Sequence, residues 1–311
     1  MIFVAIPALL LALASVAAFF GRWVWWLDVL ANFRVQYLVG LLVLGLVLAT
    51  STRWRRWGYL TLVVGVVNLV VILPLYLGAP ATVDPALPDL RVMNFNLLSS
   101  NESFGEVIDY IELVNPDLVI LHEASRPWEV AVDAADLGYE VIRPRSGDLI
   151  FATLILVRGT EVTAVSFGFT ARSPRAVELS FVPEGWELPV EALITHPVAP
   201  TSQERASLRD AQLGFAAEWA AGREGVFFVV GDLNATPWSW AFRRLMTTTE
   251  LRNSQAGFGL QASFPANASV LLRVPIDHLL YSGALGVRDR VLGPRMGSDH
   301  FPLIVDLVLL P

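Results

Sequence analysis

Carboxylate, amide and imidazole side chains recur in this 311-residue sequence where apolar runs begin or end. Carboxylate and amide oxygens bind hard cations, and an imidazole beside a carboxylate can exchange protons with a substrate. The chain contains no cysteine and no lysine, which excludes thiolate ligands, a cysteine nucleophile and a P-loop lysine. The sequence also contains no His-x-x-x-His pair, the close ligand spacing that a histidine-ligated zinc site would want. The pattern therefore predicts an oxygen-ligand site for Mg²⁺, Mn²⁺ or Ca²⁺. The side chains lie in five stretches: His122-Glu123, His196, Asp232-Leu233-Asn234, Asp277-His278 and Ser298-Asp299-His300.

Each stretch alone has an ordinary structural explanation. Ser298-Asp299-His300 could be a solvated turn, and Glu123 could cap a helix or form a salt bridge. Asp232 and Asn234 could form an Asx turn before a helix. A single histidine after a strand, such as His196, is more often structural than catalytic. The recurrence of such groups at several strand ends favours one shared site, because open α/β sheets place their sites at the carboxyl ends of strands.

Alternation of apolar and polar residues, together with short apolar runs, predicts the strands that position these groups. Helical spacing of apolar residues predicts helices at Phe104–Val114 and Gln203–Trp219. The predicted strands are Leu90–Leu97, Leu118–Leu121, Leu149–Val157, Val162–Phe167, Ala176–Phe181, Val190–Thr195, Val226–Val230, Pro275–Tyr281 and Leu303–Val305.

The N-terminal part of the chain, residues 1–78, has the composition of a membrane anchor. The whole sequence is 54% hydrophobic and only 16% charged, and much of the apolar excess lies here. Three uncharged segments, Ile2–Phe20, Val35–Thr52 and Trp57–Leu77, have the length of transmembrane helices. Tryptophan and tyrosine residues cluster at their ends, as in an interfacial belt. No basic stretch precedes Ile2–Phe20, so we interpret it as a retained helix rather than a cleaved signal peptide.

Arginines in the short loops predict how this anchor is oriented. Arg53, Arg55 and Arg56 lie between the second and third segments, whereas the first loop contains Arg22 and Arg34. The denser cluster is expected on the cytoplasmic side of the membrane. The remainder of the chain is then expected outside the cytoplasm.

A proline-rich stretch separates the anchor from the rest of the chain. Residues 79–88 contain three prolines among small residues and predict an extended linker. Residues 89–311 are long enough for one globular domain. This domain contains 27 of the 29 acidic residues and 17 of the 22 basic ones, a net charge of about −10. Such a charge weighs against a protein that holds nucleic acid mainly by neutralising its phosphates.

The order of these motifs resembles the endonuclease/exonuclease/phosphatase superfamily, which includes DNase I-like nucleases, inositol-polyphosphate phosphatases and bacterial sphingomyelinases. The resemblance extends from about residue 89 to residue 311, and the preceding helices look like those of its membrane-anchored bacterial branch. The motifs that carry it are Arg91–Asn96, Pro116–Glu123, Thr195–Pro197, Gly231–Ser239, Ile276–His278 and Gly297–Pro302.

The resemblance implies an α/β fold in which two mixed β-sheets pack as a sandwich flanked by helices, a four-layer arrangement with the site at one end. It also implies a divalent ion, Mg²⁺ or alternatively Mn²⁺ or Ca²⁺. Asn96 and Glu123 would bind this ion, and Asp299 would lie close enough to contribute.

The same resemblance implies catalytic roles for five further residues. Asp232 and Asn234 would orient the attacking water and contact the phosphoryl group. Asp277 would hold the imidazole of His300 in the right tautomer, and His196 would contact the phosphate or the leaving-group oxygen. The identity of the general base stays open.

Three residues are weaker candidates for contact with the substrate. The family commonly has glutamine before its metal-binding glutamate, whereas this chain has His122, which we assign to a substrate-side or supporting role. Arg175, together with Arg172, could attract an anionic substrate or could lie in a solvated loop. Trp238 is expected to pack at the wall of the site.

These features predict a membrane-anchored, metal-dependent phosphohydrolase that cleaves a lipid-linked or small phosphoester outside the cytoplasm. Water would attack phosphorus in line, and its partners would be the phosphoester and the lipid bilayer. An extracytoplasmic DNase or RNase is the alternative, and an inactive binding module is a third possibility. The substrate, the choice between monoester and diester, and the oligomeric state stay open.

Overall fold

The computed structural model describes residues 1–78, 84, 87–144, 152–170 and 173–310, and the chain begins with a bundle of apolar helices. Ile2–Phe20 and Arg55–Tyr76 are each long and apolar enough to cross a membrane. A third crossing requires that two shorter helices, bent by 66° where they meet, be counted together. The helices are α1 (Ile2–Ala17), α2 (Trp25–Ala31), α3 (Arg34–Ala49) and α4 (Arg55–Ile72), with 3₁₀ turns at Ala18–Phe20 and Leu73–Tyr76.

The second predicted membrane segment differs from the helix that forms. α3 begins at Arg34 and ends at Ala49, and the loop expected before it contains the short helix α2. The Arg34 side chain is buried, and its Nη1 donates to the Ser15 carbonyl at 2.9 Å and to Asn68 Oδ1 at 3.1 Å. The bundle therefore encloses one guanidinium that polar groups of α1 and α4 hold in place.

The linker expected at 79–88 lies mostly outside the described residues, as do Arg172 and the first part of the strand predicted at Leu149–Val157. The described chain after it forms two six-stranded sheets. The first contains β1 (Asp89–Asn96), β2 (Leu118–His122), β3 (Glu140–Ile142), β4 (Thr153–Val157), β11 (Leu285–Leu292) and β12 (Leu303–Leu309). The second contains β5 (Thr160–Phe167), β6 (Ala176–Val182), β7 (Val190–Ile194), β8 (Phe227–Asp232), β9 (Arg252–Asn253) and β10 (Asp277–Tyr281).

Both sheets are mixed. The strand orders are β11-β12-β1-β2-β4-β3 and β5-β6-β7-β8-β10-β9. β1 runs parallel to β2 and β7 runs parallel to β8, whereas the other described neighbours are antiparallel. Each parallel pair brings two carboxyl ends to one edge of its sheet.

The apolar runs in the sequence arise because the central strands are buried on both faces. Leu118 and Ile120 of β2 pack into the core between the sheets, whereas Val119 and Leu121 pack outward under helices. Helices α5 (Phe104–Val114) and α6 (Arg126–Ala135) cover the first sheet, and α7 (Gln203–Ala221) and α8 (Trp240–Thr247) cover the second. The predicted sandwich of two mixed sheets flanked by helices is confirmed.

A buried ion pair joins the helical bundle to the sandwich. Asp28 of α2 accepts a hydrogen bond from Arg209 Nη2 at 2.8 Å, and its other oxygen accepts from the backbone N–H of Trp240. Both side chains of the pair are almost fully buried, at 3% and 2% exposure. The Leu75 carbonyl, at the end of the bundle, also accepts the Gly257 N–H at 3.0 Å.

Asp28→Asn is expected to lower the free energy of unfolding by about 2 kcal/mol, because it removes the buried counter-charge at Arg209 Nη2 and leaves only Asp210, which is 40% exposed, at Nε. Unfolding of the full chain in detergent, followed by tryptophan fluorescence against temperature, measures this. Glu112→Gln makes the same chemical change at an exposed position of α5 and should leave the transition within about 0.5 kcal/mol of wild type. Equal transitions for the two variants would contradict a joining role for the pair.

Candidate active site

The polar groups singled out in the sequence lie together at one end of the sandwich. Asn96 and His122 lie opposite each other at the carboxyl ends of β1 and β2. Asp232 lies opposite Asp277 in the antiparallel pair of β8 and β10. β7 and β8 run parallel toward the same edge, which brings His196 close to Asp232. Strand register therefore assembles side chains that are more than a hundred residues apart in sequence.

Glu123 forms the more accessible side of this cluster, and Asn96 lies behind it. Asn96 Nδ2 donates to Glu123 Oε1 and to Asp232 Oδ2, both at 3.1 Å. Glu123 has a left-handed backbone conformation, with φ of 57°, which turns the chain sharply after β2. Its side chain is 21% exposed, whereas Asn96 is buried. Glu123 therefore faces solvent at the mouth of the site, with the Asn96 amide behind it.

His300 and Asp277 form a buried acid–histidine pair. His300 Nδ1 lies 2.8 Å from Asp277 Oδ2. Burial opposes the charging of His300, but the carboxylates of Asp277 and Asp232 outweigh it and raise its pKa to about 9. Burial likewise acts to raise the pKa of Asp277, but the charge and hydrogen bond of His300 hold that pKa below its ordinary value. The pair is therefore an imidazolium and a carboxylate at neutral pH.

Asp232 Oδ2 is the atom at which the site converges. It lies 3.7 Å from His196 Nε2 and 3.7 Å from His300 Nε2, in addition to its bond with Asn96. Burial raises the pKa of Asp232, although the nearby histidines partly offset this. Its other oxygen accepts the Asn234 backbone N–H at 2.9 Å. A buried carboxylate with a raised pKa beside two imidazoles is suited to proton transfer.

The turn that contains Asp299 and His300 is tied to the end of β1. Gly297 has φ of 76°, and any side chain there would collide with Asn101, so glycine is required. Ser298 Oγ donates to the Asn96 carbonyl at 2.7 Å and accepts the His300 N–H at 2.9 Å. Asp299 is partly exposed at the rim, and its carboxylate contributes to the raised pKa of His300.

His122 does not reach the mouth of the site. It has no exposed surface, and its ring nitrogens lie 3.0 Å from Asn94 Oδ1 and 3.3 Å from Thr153 Oγ1. Burial lowers its pKa far below the ordinary value, so the ring is neutral. The predicted contact with substrate does not fit this position, because a substrate cannot touch a side chain that has no exposed surface. Its ring instead packs edge-on against His196, at 5.1 Å between centroids.

Three other predicted residues are held by contacts of their own. Arg175 donates from Nε to Ser166 Oγ at 3.2 Å, on the hairpin of β5 and β6. Trp238 was expected at the wall of the site, but it is buried in an apolar cluster with Ala31 and Leu75 of the helical bundle. The Asn234 side chain donates to the Pro197 carbonyl at 2.9 Å and so joins the loops after β7 and β8.

Two buried residues beside Asp277 were missed in the sequence. Asn94 Nδ2 donates to Asp277 Oδ1 at 3.2 Å, and its period-two spacing from Asn96 could have placed both amides on one face of β1. Arg290 Nη2 donates to the Asp277 carbonyl at 3.2 Å. Arg290 lies on β11, a strand that was not predicted, so no signal pointed to it.

The donor set fits a hard divalent ion. The Glu123 carboxylate is open to solvent, and Asn96 lies beside it. Asn96 turns its Nδ2 toward Glu123 while its Oδ1 accepts the Leu98 N–H at 3.1 Å, so binding an ion through Asn96 requires the opposite orientation of this amide. Among the described residues no three histidine or acidic side chains are grouped to enclose a metal. Mg²⁺ is bound by one or two carboxylates and keeps several waters, so a small protein donor set suits it.

Comparison with known proteins identifies the family. The sequence profile of the Endonuclease/Exonuclease/phosphatase family matches residues 93–300, which spans the strands and loops of the site. The chain belongs to this family. Members are metal-dependent phosphoric ester hydrolases that generally use divalent ions, typically Mg²⁺, and the chain is an enzyme of that class. No curated protein sequence matches it closely.

Solved structures of family members share the fold. An endonuclease/exonuclease/phosphatase from Bacteroides vulgatus aligns with a TM-score of 0.58 at 17% identity, over 72% of this chain and 100% of its own. The human Nocturnin catalytic domain with bound sulfate aligns at 0.57 and 20% identity, over 72% and 96%. D. rerio TDP2 in complex with a single-strand DNA product aligns at 0.60 and 13% identity, over 70% and 98%.

Proposed function

We propose that the chain is a membrane-anchored phosphohydrolase that cleaves a lipid-linked or small phosphoester outside the cytoplasm with the help of a divalent ion. Convergence of Asn96, His196 and His300 on Asp232 Oδ2 carries this proposal. Such a cluster offers a proton acceptor and proton donors around one point, beside a carboxylate that faces solvent. Such groups can catalyse hydrolysis of a phosphoester by proton transfer and by stabilising the charge that develops on its oxygens.

The residues divide the work by their charge. Asp232, with its raised pKa, takes a proton from the attacking water, and Asn234 holds the loop that carries it. His300 is an imidazolium whose Nε2–H stabilises negative charge on the phosphoryl oxygens, and His196 contacts the leaving-group oxygen. Mg²⁺, or alternatively Mn²⁺ or Ca²⁺, held by Glu123 and Asn96 with Asp299 nearby, would neutralise charge on the phosphoryl group.

The proposed anchoring and orientation are supported by one observation: the sandwich contacts the end of the bundle that lies away from the arginine-rich loop. Ile2 lies beside Trp54 and Trp57 across an apolar groove, so the chain start and the arginine-rich loop between α3 and α4 share one end. Asp28 and Leu75 contact the sandwich at the other end. The chain crosses the bilayer an odd number of times between these two ends. The arginines favour a cytoplasmic position for the end that contains the chain start.

Hydrolysis by the full chain in phospholipid nanodiscs tests the proposal. The substrates are bis-p-nitrophenyl phosphate, p-nitrophenyl phosphate, phosphatidic acid and phosphatidylglycerol, each with Mg²⁺, Mn²⁺ or EDTA. We expect metal-dependent cleavage of at least one lipid phosphoester that EDTA abolishes. Folded protein that cleaves none of the four in any metal would overturn the proposal.

A nuclease is the second candidate, because a protein of the same fold, D. rerio TDP2, has been solved with a single-strand DNA product. The net charge of about −10 on residues 89–311 opposes it, since nucleic acid would be repelled. Incubation of supercoiled plasmid and of single-stranded DNA at low salt with Mg²⁺ or Mn²⁺ separates the two. Nicking that outpaces lipid hydrolysis would favour the nuclease.

A further inference from the structure

An exposed apolar turn stands beside the site. Val270, Leu271 and Leu272 form a single 3₁₀ turn and are 62%, 52% and 59% exposed. Three consecutive large aliphatic side chains exposed to water are unfavourable, and such an apolar patch often marks a surface that another apolar surface covers. The contacts of the turn indicate which surroundings cover these three side chains.

The turn touches the first turn of α3. Gln36 Nε2 donates to the Leu271 carbonyl at 2.9 Å and to the Arg273 carbonyl at 3.4 Å. Gln36 heads a stripe of α3 that continues through Val39 and Val43, spaced three and four residues apart on one face. These valines are 38% and 55% exposed, as expected for side chains that face lipid. The apolar turn therefore extends the outer surface of this helix.

The same loop reaches into the site at its base. Phe264 and Val274 pair through backbone hydrogen bonds and close the loop that carries the turn. The Phe264 ring lies 4.8 Å from the His300 ring, and the Ala266 N–H donates to the Asp299 carbonyl at 2.6 Å. One short loop thus connects the exposed turn to two residues at the mouth of the site.

A second loop at the mouth also contacts the anchor. Thr236, two residues after Asn234, donates from Oγ1 to Asn32 Oδ1 at 2.9 Å, and Asn32 lies at the break between α2 and α3. The loop bearing Asn234 therefore meets the end of the bundle directly, and the loop bearing Asp299 is joined to it through the 264–274 loop. The mouth of the site lies at the level where α3 would leave the bilayer.

We propose that the Val270–Leu272 turn inserts into the same bilayer that the N-terminal helices cross, and that it holds the mouth of the site against the membrane surface. The inference rests on the membrane anchoring of the proposed function and narrows its substrate to phosphoesters presented by that bilayer. Membrane lipid is the occupant because the turn continues the lipid-facing stripe of α3. Each apolar side chain of the turn that leaves water for the bilayer makes insertion more favourable.

The absence of cysteine from the chain makes a site-specific test direct. Leu271→Cys provides a single thiol in the full chain, which is labelled with NBD and placed in nanodiscs of phosphatidylcholine and phosphatidylglycerol. Leu113→Cys is the matched control, because Leu113 is 79% exposed on α5, across the sandwich from the anchor contacts. We expect a blue-shifted emission that doxyl-labelled lipid quenches at 271 only. A water-like, unquenched signal at 271 would overturn the insertion.

Kinetics give a second, independent readout. Leu271→Asp should lower the ratio of lipid hydrolysis to hydrolysis of the soluble p-nitrophenyl ester by about tenfold, since a charge opposes insertion, whereas Leu113→Asp should leave the ratio unchanged. An unchanged ratio for both variants would contradict the proposal. If the wild type cleaves no phosphoester, the proposed function fails, and the NBD signal still decides the insertion separately.

Discussion

Asp232→Ala is expected to lower kcat/KM for phosphoester hydrolysis by about a thousandfold, because the atom at which Asn96, His196 and His300 converge disappears. No other described carboxylate stands within 4 Å of both imidazoles, so the proton acceptor has no substitute. The change also removes the acceptor of the Asn234 N–H and one acceptor of Asn96 Nδ2, so the fold of the variant is checked separately.

The measurement compares steady-state hydrolysis by wild type, Asp232→Ala and Asp109→Ala in the same metal. Asp109 is an exposed residue of α5, far from the strand ends, and its loss should change the rate less than about twofold. Circular dichroism and the thermal transition establish that the variants are folded. Retention of more than about a tenth of the wild-type rate by Asp232→Ala would rule out its assigned role as proton acceptor.

Asp277→Asn is expected to lower the pKa of His300 from about 9, because the nearest carboxylate that favours the imidazolium is lost. At pH 8 a larger fraction of the His300 population would then be neutral than in the wild type, and the ring would lose the partner that orients it. Together these changes should lower kcat/KM at pH 8 by about a hundredfold and move the alkaline limb of the pH profile to lower pH.

Two measurements check this without relying on a single readout. Histidine NMR of the metal-free protein follows the His300 titration directly, and the pH dependence of kcat/KM follows its effect. A raised histidine pKa stabilises the folded state only while the ring is protonated. In EDTA, the contribution of protonated His300 to the wild-type free energy of unfolding should therefore be complete below about pH 6.5 and should be lost as the pH rises through about 9. An unshifted His300 titration in Asp277→Asn would contradict the electrostatic explanation.

Much of the fold follows from local patterns in the sequence. The buried strand Leu118–His122 and the helix Phe104–Val114 formed close to their predicted bounds, because an apolar run and a helical spacing each depend on nearby residues. Asn96, Glu123, Asp232 and His300 lie at or beside the ends of β1, β2, β8 and β12. The fold that the motifs imply brings these strand ends together at one end of the sandwich.

The remaining features depend on partners that are distant in sequence. Asp28 lies in the loop expected between the first two membrane segments, yet it is buried because Arg209, 181 residues away, meets it where the bundle contacts the sandwich. Trp238 lies close to Asp232 and Asn234 in sequence, but it packs on the helical bundle in space. The sequence leaves a substrate-side and a supporting role open for His122, because the choice depends on Asn94 and Thr153, which contact the buried ring.

The Asp28–Arg209 pair has a further consequence for how the enzyme meets its substrate. A domain joined to its anchor by buried contacts cannot move away from it on a flexible tether. If the bundle spans the membrane as proposed, the site therefore stays at a fixed height above the bilayer and reaches only molecules in that plane. Its encounter rate would then depend on how many substrate molecules share each unit of membrane area, and would fall when inert lipid dilutes them at constant bulk concentration. Vesicles that lack the enzyme would keep their phosphoesters intact, however many are mixed in.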